Sequence, residues 1–140
     1  MTRLARLHAT TRVRVRYAET DKMGVVYYAN YFVWFEVGRC ELLRTLGWSY
    51  RDLEAEGASL PVIDASCRYL APARYDDELE IQTDASLVGQ ARVAFDYKVL
   101  RVADQQLSVT GRTVHAAINQ LGRPRRLPDR LRRAFECAPS

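Results

Sequence analysis

Histidine and paired cysteine are what this sequence conspicuously lacks. The 140 residues include two histidines, His8 and His115, and three cysteines, Cys40, Cys67 and Cys137. The cysteines form no Cys-x-x-Cys pair and are odd in number, which excludes a disulfide framework and a zinc site as interpretations. Two histidines alone support no Ser-His-Asp triad. With no glycine-rich phosphate loop or metal-ligand spacing either, the sequence predicts no cofactor and no metal. Free thiols predict a reducing, cytoplasmic location.

Long apolar runs are also missing. No stretch approaches the roughly 18 residues that a membrane-spanning helix needs, and the basic start of the chain lacks the continuous apolar segment of a secretory signal. Apolar residues make up 48% and charged residues 27% of the chain, values that exclude disorder and are typical of a globular protein. We expect one domain over residues 1–140, with a core at about 12–128, basic termini and His8 in a mobile tail.

Positive charge is concentrated at the two ends. The net charge is +4; residues 1–16 hold five arginines and no acid, and residues 123–133 hold six arginines and one acid. Such clusters are either solvated tails or a site for a phosphate-bearing ligand, because guanidinium groups pair well with phosphate oxygens. Nucleic acid is not a predicted partner, since the chain has no recognition motif and no basic stretch interleaved with aromatic residues.

Hydrophobic periodicity predicts an α+β fold. Alternation over residues 12–17 predicts a strand, and the segment 30–46, apolar on nearly all sides, predicts a buried helix that ends at Gly47. A short helix is predicted at 50–56, followed by four strands between residues 60 and 119 that pair in chain order, and a terminal helix at 129–135. We expect the long helix to be wrapped by a curved antiparallel sheet, with Cys40 and Cys67 in the core, His115 structural, and the pairs Glu36–Arg39 and Glu41–Arg44 on the helix.

The residues most suited to chemistry lie in the turn before the long helix. Asp21 precedes a helix N-terminus, where unpaired N–H groups and a partial positive charge suit an oxyanion. Asp21 would then attack a carbonyl carbon or activate water; the alternative is that it only caps the turn and the helix start. Gly24 is expected to adopt an unusual backbone angle or to let a ligand approach closely. The tyrosines around the turn are either core residues or the lining of an acyl pocket.

Three segments carry a resemblance to a known family. Residues 21–31 (DKMGVVYYANY) resemble the signature of the hotdog-fold thioesterases of the 4-hydroxybenzoyl-CoA thioesterase type. Residues 69–77 (YLAPARYDD) are similar to that family's second segment, at a similar spacing, and residues 122–125 (GRPR) are similar to its tail. The resemblance covers about residues 12–128. It implies a hotdog fold, that is, a long helix wrapped by a curved antiparallel sheet.

The resemblance also implies roles for individual residues. Asp21 matches the catalytic aspartate, and the backbone N–H of Tyr28 matches the group that polarises the thioester carbonyl. Tyr17 matches a tyrosine near the site in the Tol-Pal-associated acyl-CoA branch. The residues expected to contact substrate are Tyr17, Gly24, Val25 and Asn30. That branch often has histidine at the position of Tyr28, so this chain is closer to the aryl-CoA branch or to a relative that works with Asp21 alone.

The expected activity is hydrolysis of short-chain or aromatic acyl-CoA thioesters to a free acid and CoA. Because a thiol leaves with a pKa of about 8.5, one carboxylate is enough, as nucleophile or as general base. The hotdog dehydratases use a histidine in this region, so its absence argues against dehydration. The alternative function is a non-catalytic acyl-CoA or acyl-carrier binding module of the same fold.

The predicted partners are an acyl-CoA substrate and further copies of this chain. The resemblance implies a homodimer or homotetramer with sites at the subunit interface, and paired sheets would also protect exposed strand edges. The candidates for binding the CoA phosphates are Arg123, Arg125 and Arg126. The alternatives from a neighbouring subunit are Arg68, Arg74 and Arg92.

Overall fold

A computed structural model describes residues 7–137, apart from the side chain of Cys137. Arg3 and Arg6, two members of the basic N-terminal segment, lie outside these described residues. The elements are β1 (Leu7–Arg14), a 3-10 turn (Tyr17–Glu19), α1 (Asn30–Thr45), α2 (Tyr50–Ala55), β2 (Val62–Tyr69), β3 (Glu78–Val88), β4 (Arg92–Arg101), β5 (Leu107–Ala116) and α3 (Asp129–Cys137). Among the helices of residues 7–137, none combines the length and apolar character needed to cross a membrane.

The five strands form one antiparallel sheet in the order β1-β3-β4-β5-β2. Strands β3, β4 and β5 form a meander, but β2 pairs with β5 at the far edge. The prediction that four strands pair in chain order was therefore wrong for β2. The reason is that β1 occupies the free edge of β3, with Val13 opposite Leu79, so that only the edge of β5 remains for β2.

Helix α1 lies against the face of the sheet to which alternate strand residues point. The ring of Phe35 stacks on that of Tyr97, with centroids 4.3 Å apart. The largest fully buried side chains of this core include Tyr97, Phe35, Phe95, Leu42, Leu79 and Ile81. This arrangement confirms the predicted α+β architecture with one long helix packed on an antiparallel sheet.

One side of α1 differs from the prediction of a helix buried nearly all round. Val33 is 53% exposed and Val37 is 37% exposed. Of the two predicted ion pairs, Glu41–Arg44 is present at 3.1 Å. The prediction of a Glu36–Arg39 pair was wrong, because Arg39 is half-buried and its Nε donates to the Tyr50 hydroxyl at 3.1 Å.

The ends of the chain contribute more than basic tails. Strand β1 starts at Leu7, which is buried, and α3 adds Leu131 and Phe135 to the same core, so the core extends beyond residues 12–128. His8 lies in β1 rather than in a mobile tail, with its Nδ1 2.6 Å from Asp84 Oδ1. The predicted strand over 12–17 also ends earlier, at Arg14, because the chain turns there towards the 3-10 segment.

Candidate active site

The turn that carries Asp21 is closed by its own backbone. The Asp21 N–H donates to the Val25 carbonyl at 2.8 Å, and the Gly24 N–H donates to the Asp21 carbonyl at 2.9 Å. Gly24 has φ +80°, a left-handed conformation that residues with a side chain adopt at a cost. The predicted unusual backbone angle at Gly24 is therefore present, and it allows the chain to reverse directly after Asp21.

Asp21 is half-buried, and only one of its two carboxylate oxygens accepts a hydrogen bond within residues 7–137. Its Oδ1 accepts the Met23 N–H at 2.9 Å, as in an Asx turn. Within residues 7–137, its Oδ2 accepts no hydrogen bond. Asp21 thus holds its own turn with one oxygen, while the other is free to attack a carbon or to take a proton from water.

The N-terminus of α1 presents an open donor close to this turn. The N-cap residue of this 16-residue helix, Ala29, makes no side-chain cap, so Asp21 does not cap the helix. The Asn30 N–H closes the preceding turn onto the Tyr27 carbonyl at 2.9 Å. The Tyr28 N–H donates to no acceptor among the described residues 7–137. A free N–H at the positive end of a helix suits a developing negative charge.

Glu19 joins the Asp21 turn to the helix, a role that sequence analysis missed. Its carboxylate is buried and accepts the Arg16 N–H at 2.8 Å. Its backbone carbonyl accepts both the Tyr27 N–H, at 2.9 Å, and the Asn30 side-chain amide, at 2.8 Å. The Asn30 amide nitrogen, predicted to contact substrate, is therefore engaged in holding the helix start. The sequence carried no capping-box signal for this role, because that motif has Ser or Thr at the position of Arg16.

A cleft of about 290 Å³ adjoins the turn. The Val26 N–H bonds to the Ala73 carbonyl at 2.8 Å, which brings the two motif segments of the sequence together. The cleft is lined by Val25, Val26, Tyr31, Tyr69, Leu70, Ala71 and Pro72. Its lining is mostly apolar, and it includes Val25, one of the predicted substrate contacts.

Tyr69, to which sequence analysis assigned no role, reaches the helix start from the end of β2. Its hydroxyl donates to the Tyr28 carbonyl at 3.0 Å. Partial burial raises the pKa of Tyr69, so its phenol keeps the donated proton. The Tyr28 hydroxyl raises the pKa of Tyr27, and the nearby Asp21 carboxylate adds to the shift. The phenols of Tyr69 and Tyr27 are therefore neutral over the ordinary pH range.

Tyr17 lies at the outer rim of this region. Its side chain is 79% exposed, and its ring packs edge-on against that of Tyr75, with centroids 5.8 Å apart. Within the protomer, the structure thus places Tyr17 beside Tyr75 on the surface.

As for metals, the described residues 7–137 contain no group of three or more His, Cys, Asp or Glu side chains arranged to hold an ion.

The structure does not bring the three candidate arginines to Asp21 within one protomer. Arg125 is engaged: its Nη1 donates to the Glu56 carbonyl at 3.1 Å and its Nε to the Arg126 carbonyl at 2.8 Å. Arg123 and Arg126 are exposed. All three lie beyond the last residue of β5, whereas Ser108, beside the cleft, lies near its first residue. Ten strand residues span about 30 Å, so the two regions are at opposite ends of the sheet.

Comparisons with known proteins agree on one family. Residues 15–135 match the thioesterase-like superfamily. The chain is 34% identical over 124 residues to an acyl-CoA thioester hydrolase of Escherichia coli O6:H1, with 89% of this chain and 92% of that protein covered.

Solved structures show the same fold. A 1,4-dihydroxy-2-naphthoyl-CoA thioesterase from Synechocystis superposes with a TM-score of 0.86 at 25% identity, over 91% of this chain and 95% of that one. A DHNA-CoA thioesterase from Staphylococcus aureus gives a TM-score of 0.81 at 35% identity, over 86% of this chain and 80% of that one. The family match, the extent of the sequence identity and the shared architecture lead to one conclusion: this chain belongs to the thioesterase-like superfamily and is a thioester hydrolase with the hotdog fold.

Proposed function

We propose that the protein hydrolyses acyl-CoA thioesters to a free acid and CoA, with Asp21 as the catalytic carboxylate. The observation that carries this proposal is the pairing of a half-buried carboxylate, one oxygen of which is unbonded among residues 7–137, with the open Tyr28 N–H at the start of α1. The names of the relatives, an acyl-CoA thioester hydrolase and two aryl-CoA thioesterases, support the substrate class.

The chemistry requires only these two groups. The Tyr28 N–H and the helix N-terminus stabilise the negative charge that develops on the thioester oxygen. Asp21 either attacks the carbonyl carbon, expelling the CoA thiolate and leaving a mixed anhydride that water cleaves, or takes a proton from water, which then attacks. In both routes the C–S bond breaks, CoA is released as the thiol, and one water is consumed per turnover; in the first route the Asp21–acyl bond forms first and water then cleaves it. The thiolate leaves without a strong general acid because the pKa of a thiol is only about 8.5.

The volume and lining of the cleft beside the turn favour a small acyl group. Its volume of about 290 Å³ is at the lower end of the range for ligand pockets, roughly 300–1,000 Å³. The rings of Tyr31 and Tyr69 contribute aromatic surface to a lining that is otherwise aliphatic. We therefore propose short-chain or aromatic acyl groups as the substrates. The cytoplasmic location inferred from the free thiols stays a prediction.

We also propose a homodimer formed through β2. This strand is the edge of the sheet, seven of its eight residues are exposed, and they include the apolar Val62, Ile63 and Tyr69. A long exposed edge invites pairing with another strand. A two-fold axis beside β2 would pair it antiparallel with the same strand of a second copy. Two sheets would then form one continuous sheet of ten strands.

This dimer would bring the arginine segment of one subunit close to the Asp21 site of the other. An antiparallel join places Tyr69, at one end of β2, near Val62 of the partner subunit, at the other end. Val62 lies opposite His115, the second-to-last residue of β5, shortly before the arginine segment. Arg123 and Arg126 of the partner subunit would therefore approach the Asp21 site and are our candidates for the CoA phosphates. Arg125, which holds the Glu56 carbonyl, is expected to shape that segment.

The Asp21→Asn variant tests the proposal directly. Asparagine keeps the acceptor for the Met23 N–H, so the turn should persist, but it lacks the charge that attacks or activates water. We expect kcat for acyl-CoA hydrolysis to fall about 100-fold or more, measured as free thiol with a colorimetric reagent over short, long and aromatic esters. The matched control is Asp96→Asn, whose carboxylate pairs with Arg112 and which should retain wild-type turnover.

Two results would contradict the assigned role. Wild-type turnover by folded Asp21→Asn would remove Asp21 from the chemistry. Loss of folding in that variant would make Asp21 a structural residue of its turn. A wild-type protein that releases no thiol from any ester in the panel would favour the acyl-CoA binding module instead.

A further inference from the structure

Tyr69 makes a long-range hydrogen bond to the backbone of Tyr28, where the thioester oxygen is proposed to bind. It is the last residue of β2, and it lies 41 positions along the chain from Tyr28, whose carbonyl accepts its hydroxyl at 3.0 Å. The Tyr69 ring packs edge-on against Tyr28 and Tyr31, with centroids 6.4 and 5.6 Å apart. The hydroxyl is thus aimed by two aromatic contacts.

The Tyr28 carbonyl depends on this hydroxyl. Tyr28 lies one residue before the N-cap Ala29, so no N–H of the helix is expected at its carbonyl, and the Phe32 N–H donates to Ala29, at 3.2 Å. Among residues 7–137, the Tyr69 hydroxyl is the hydrogen-bond partner of the Tyr28 carbonyl. The orientation of the Tyr28 backbone is therefore set by a residue of the sheet as well as by the helix.

We propose that Tyr69 is a positioning residue for thioester hydrolysis, which holds the Tyr28 backbone so that its N–H points to the substrate oxygen. The proposal rests on the function proposed above. A donor stabilises a developing oxyanion most when it is already oriented before the reaction. The hydrogen bond fixes the peptide unit that joins Tyr28 to Ala29, and this unit is connected to the Tyr28 N–H through the Tyr28 Cα, so Tyr69 restrains the direction of that N–H without polarising it. The Tyr69 hydroxyl bonds to Tyr28 and makes no hydrogen bond to Asp21 among residues 7–137, so it acts through Tyr28.

Tyr69→Phe is the informative variant, because it keeps the ring contacts and removes only the hydroxyl. Since loss of a direct oxyanion donor costs about 100- to 1,000-fold, an indirect effect should be smaller. We expect the single-turnover rate of thiol release, with enzyme in excess over acyl-CoA, to fall about tenfold. KM and the thermal midpoint should change little. The control is Tyr50→Phe, which also loses a phenol hydrogen bond, to Arg39, and should keep the wild-type rate.

The outcomes separate this proposal from the function on which it rests. A Tyr69→Phe rate equal to wild type would overturn the positioning role and leave acyl-CoA hydrolysis intact. A fall in rate accompanied by an equal rise in KM and a lower thermal midpoint would also overturn it, since a general structural role would explain all three. A wild-type protein without hydrolysis, with Asp21→Asn indistinguishable from it, would overturn both.

Discussion

At the scale of single residues, His115 shows how buried partners determine a tautomer. Its Nδ1 lies 2.9 Å from the Leu60 carbonyl, which only accepts, so Nδ1 carries the proton. The Nε2 of the neutral ring then accepts the Thr113 hydroxyl at 2.9 Å, and Thr113 Oγ1 accepts from the Tyr97 hydroxyl at 2.7 Å. Burial lowers the pKa of His115, since a charged ring would lose water and reverse this chain of donors. The structural role predicted for His115 is consistent with these contacts.

This network predicts a pH-dependent stability. In the unfolded chain His115 titrates near 6.5, whereas its pKa is lower in the folded protein. Below pH 6.5 the unfolded state therefore binds more protons, and the free energy of unfolding should fall as the pH drops from 7.5 to 5.5. The slope for one proton cannot exceed about 1.4 kcal/mol per pH unit. Urea unfolding at several pH values measures it.

The two histidines give that experiment its control. His115→Asn should lower stability at pH 7.5 and flatten the pH dependence over this range. His8 is exposed and lies outside the buried network, so His8→Asn should leave the contribution of His115 to the dependence in place. Equal slopes in the wild type and His115→Asn would contradict the assignment.

At the scale of elements, the approach of α1 to the sheet depends on missing side chains. A Cβ at Gly38 would collide with Thr83 Oγ1 and press on Ile81 Cγ2, and a Cβ at Gly111 on β5 would collide with the Phe35 ring. Glycine is unfavourable in a helix interior by about 1 kcal/mol relative to alanine. The helix retains Gly38 because close packing outweighs that loss.

Gly38→Ala should therefore destabilise the protein although alanine favours helix. Overpacking a core costs about 1–3 kcal/mol, so we expect a net loss of about 1 kcal/mol in urea unfolding. Adding Thr83→Ala to Gly38→Ala removes the Thr83 hydroxyl, which the new Cβ would meet. That hydroxyl is buried and has no hydrogen-bond partner among the described residues, so its removal should restore part of the stability. The exposed Glu36→Ala is the control and should be nearly neutral. Stabilisation by Gly38→Ala would contradict this account of the packing.

At the scale of the whole molecule, the proposed dimer makes each site from two chains. Asp21 would come from one protomer, and Arg123 and Arg126 from the other. The double variant Arg123→Gln with Arg126→Gln should raise KM for acyl-CoA more than it lowers kcat, because the phosphates lie far from the carbonyl. Mixing this variant with Asp21→Asn should produce hybrid dimers in which one site has every group, so turnover with wild-type KM should return.

The hybrid experiment has clear contrary results. If both arginines act within their own chain, mixing the variants will not restore a low KM. If the protein runs in light scattering at the monomer mass of 16.0 kDa and is still active, the dimer is wrong. A truncated thioester without the nucleotide should be hydrolysed equally well by the wild type and the double arginine variant, and salt should weaken only the full CoA ester.

Local features of this protein were predictable from sequence. The long apolar segment before Gly47 predicted α1, and side-chain alternation predicted β3 and β4; α2 and β5 were also predicted near their observed positions. The left-handed Gly24 beside Asp21 follows from turn chemistry. These features depend on residues within about four positions of one another, so a single stretch of sequence contains the whole physical cause.

The position of β2, and the contacts that depend on it, could not be predicted from local sequence. An alternating pattern predicts a strand but not its neighbour, because pairing depends on which edges remain free once β1 has joined β3. That choice brings Tyr69 to the Tyr28 carbonyl and leaves β2 as an exposed edge. It also separates the arginine segment from Asp21 and engages Arg125 with Glu56. The residue types at the candidate site could be identified from local sequence, whereas long-range strand pairing sets which of these residues are in contact.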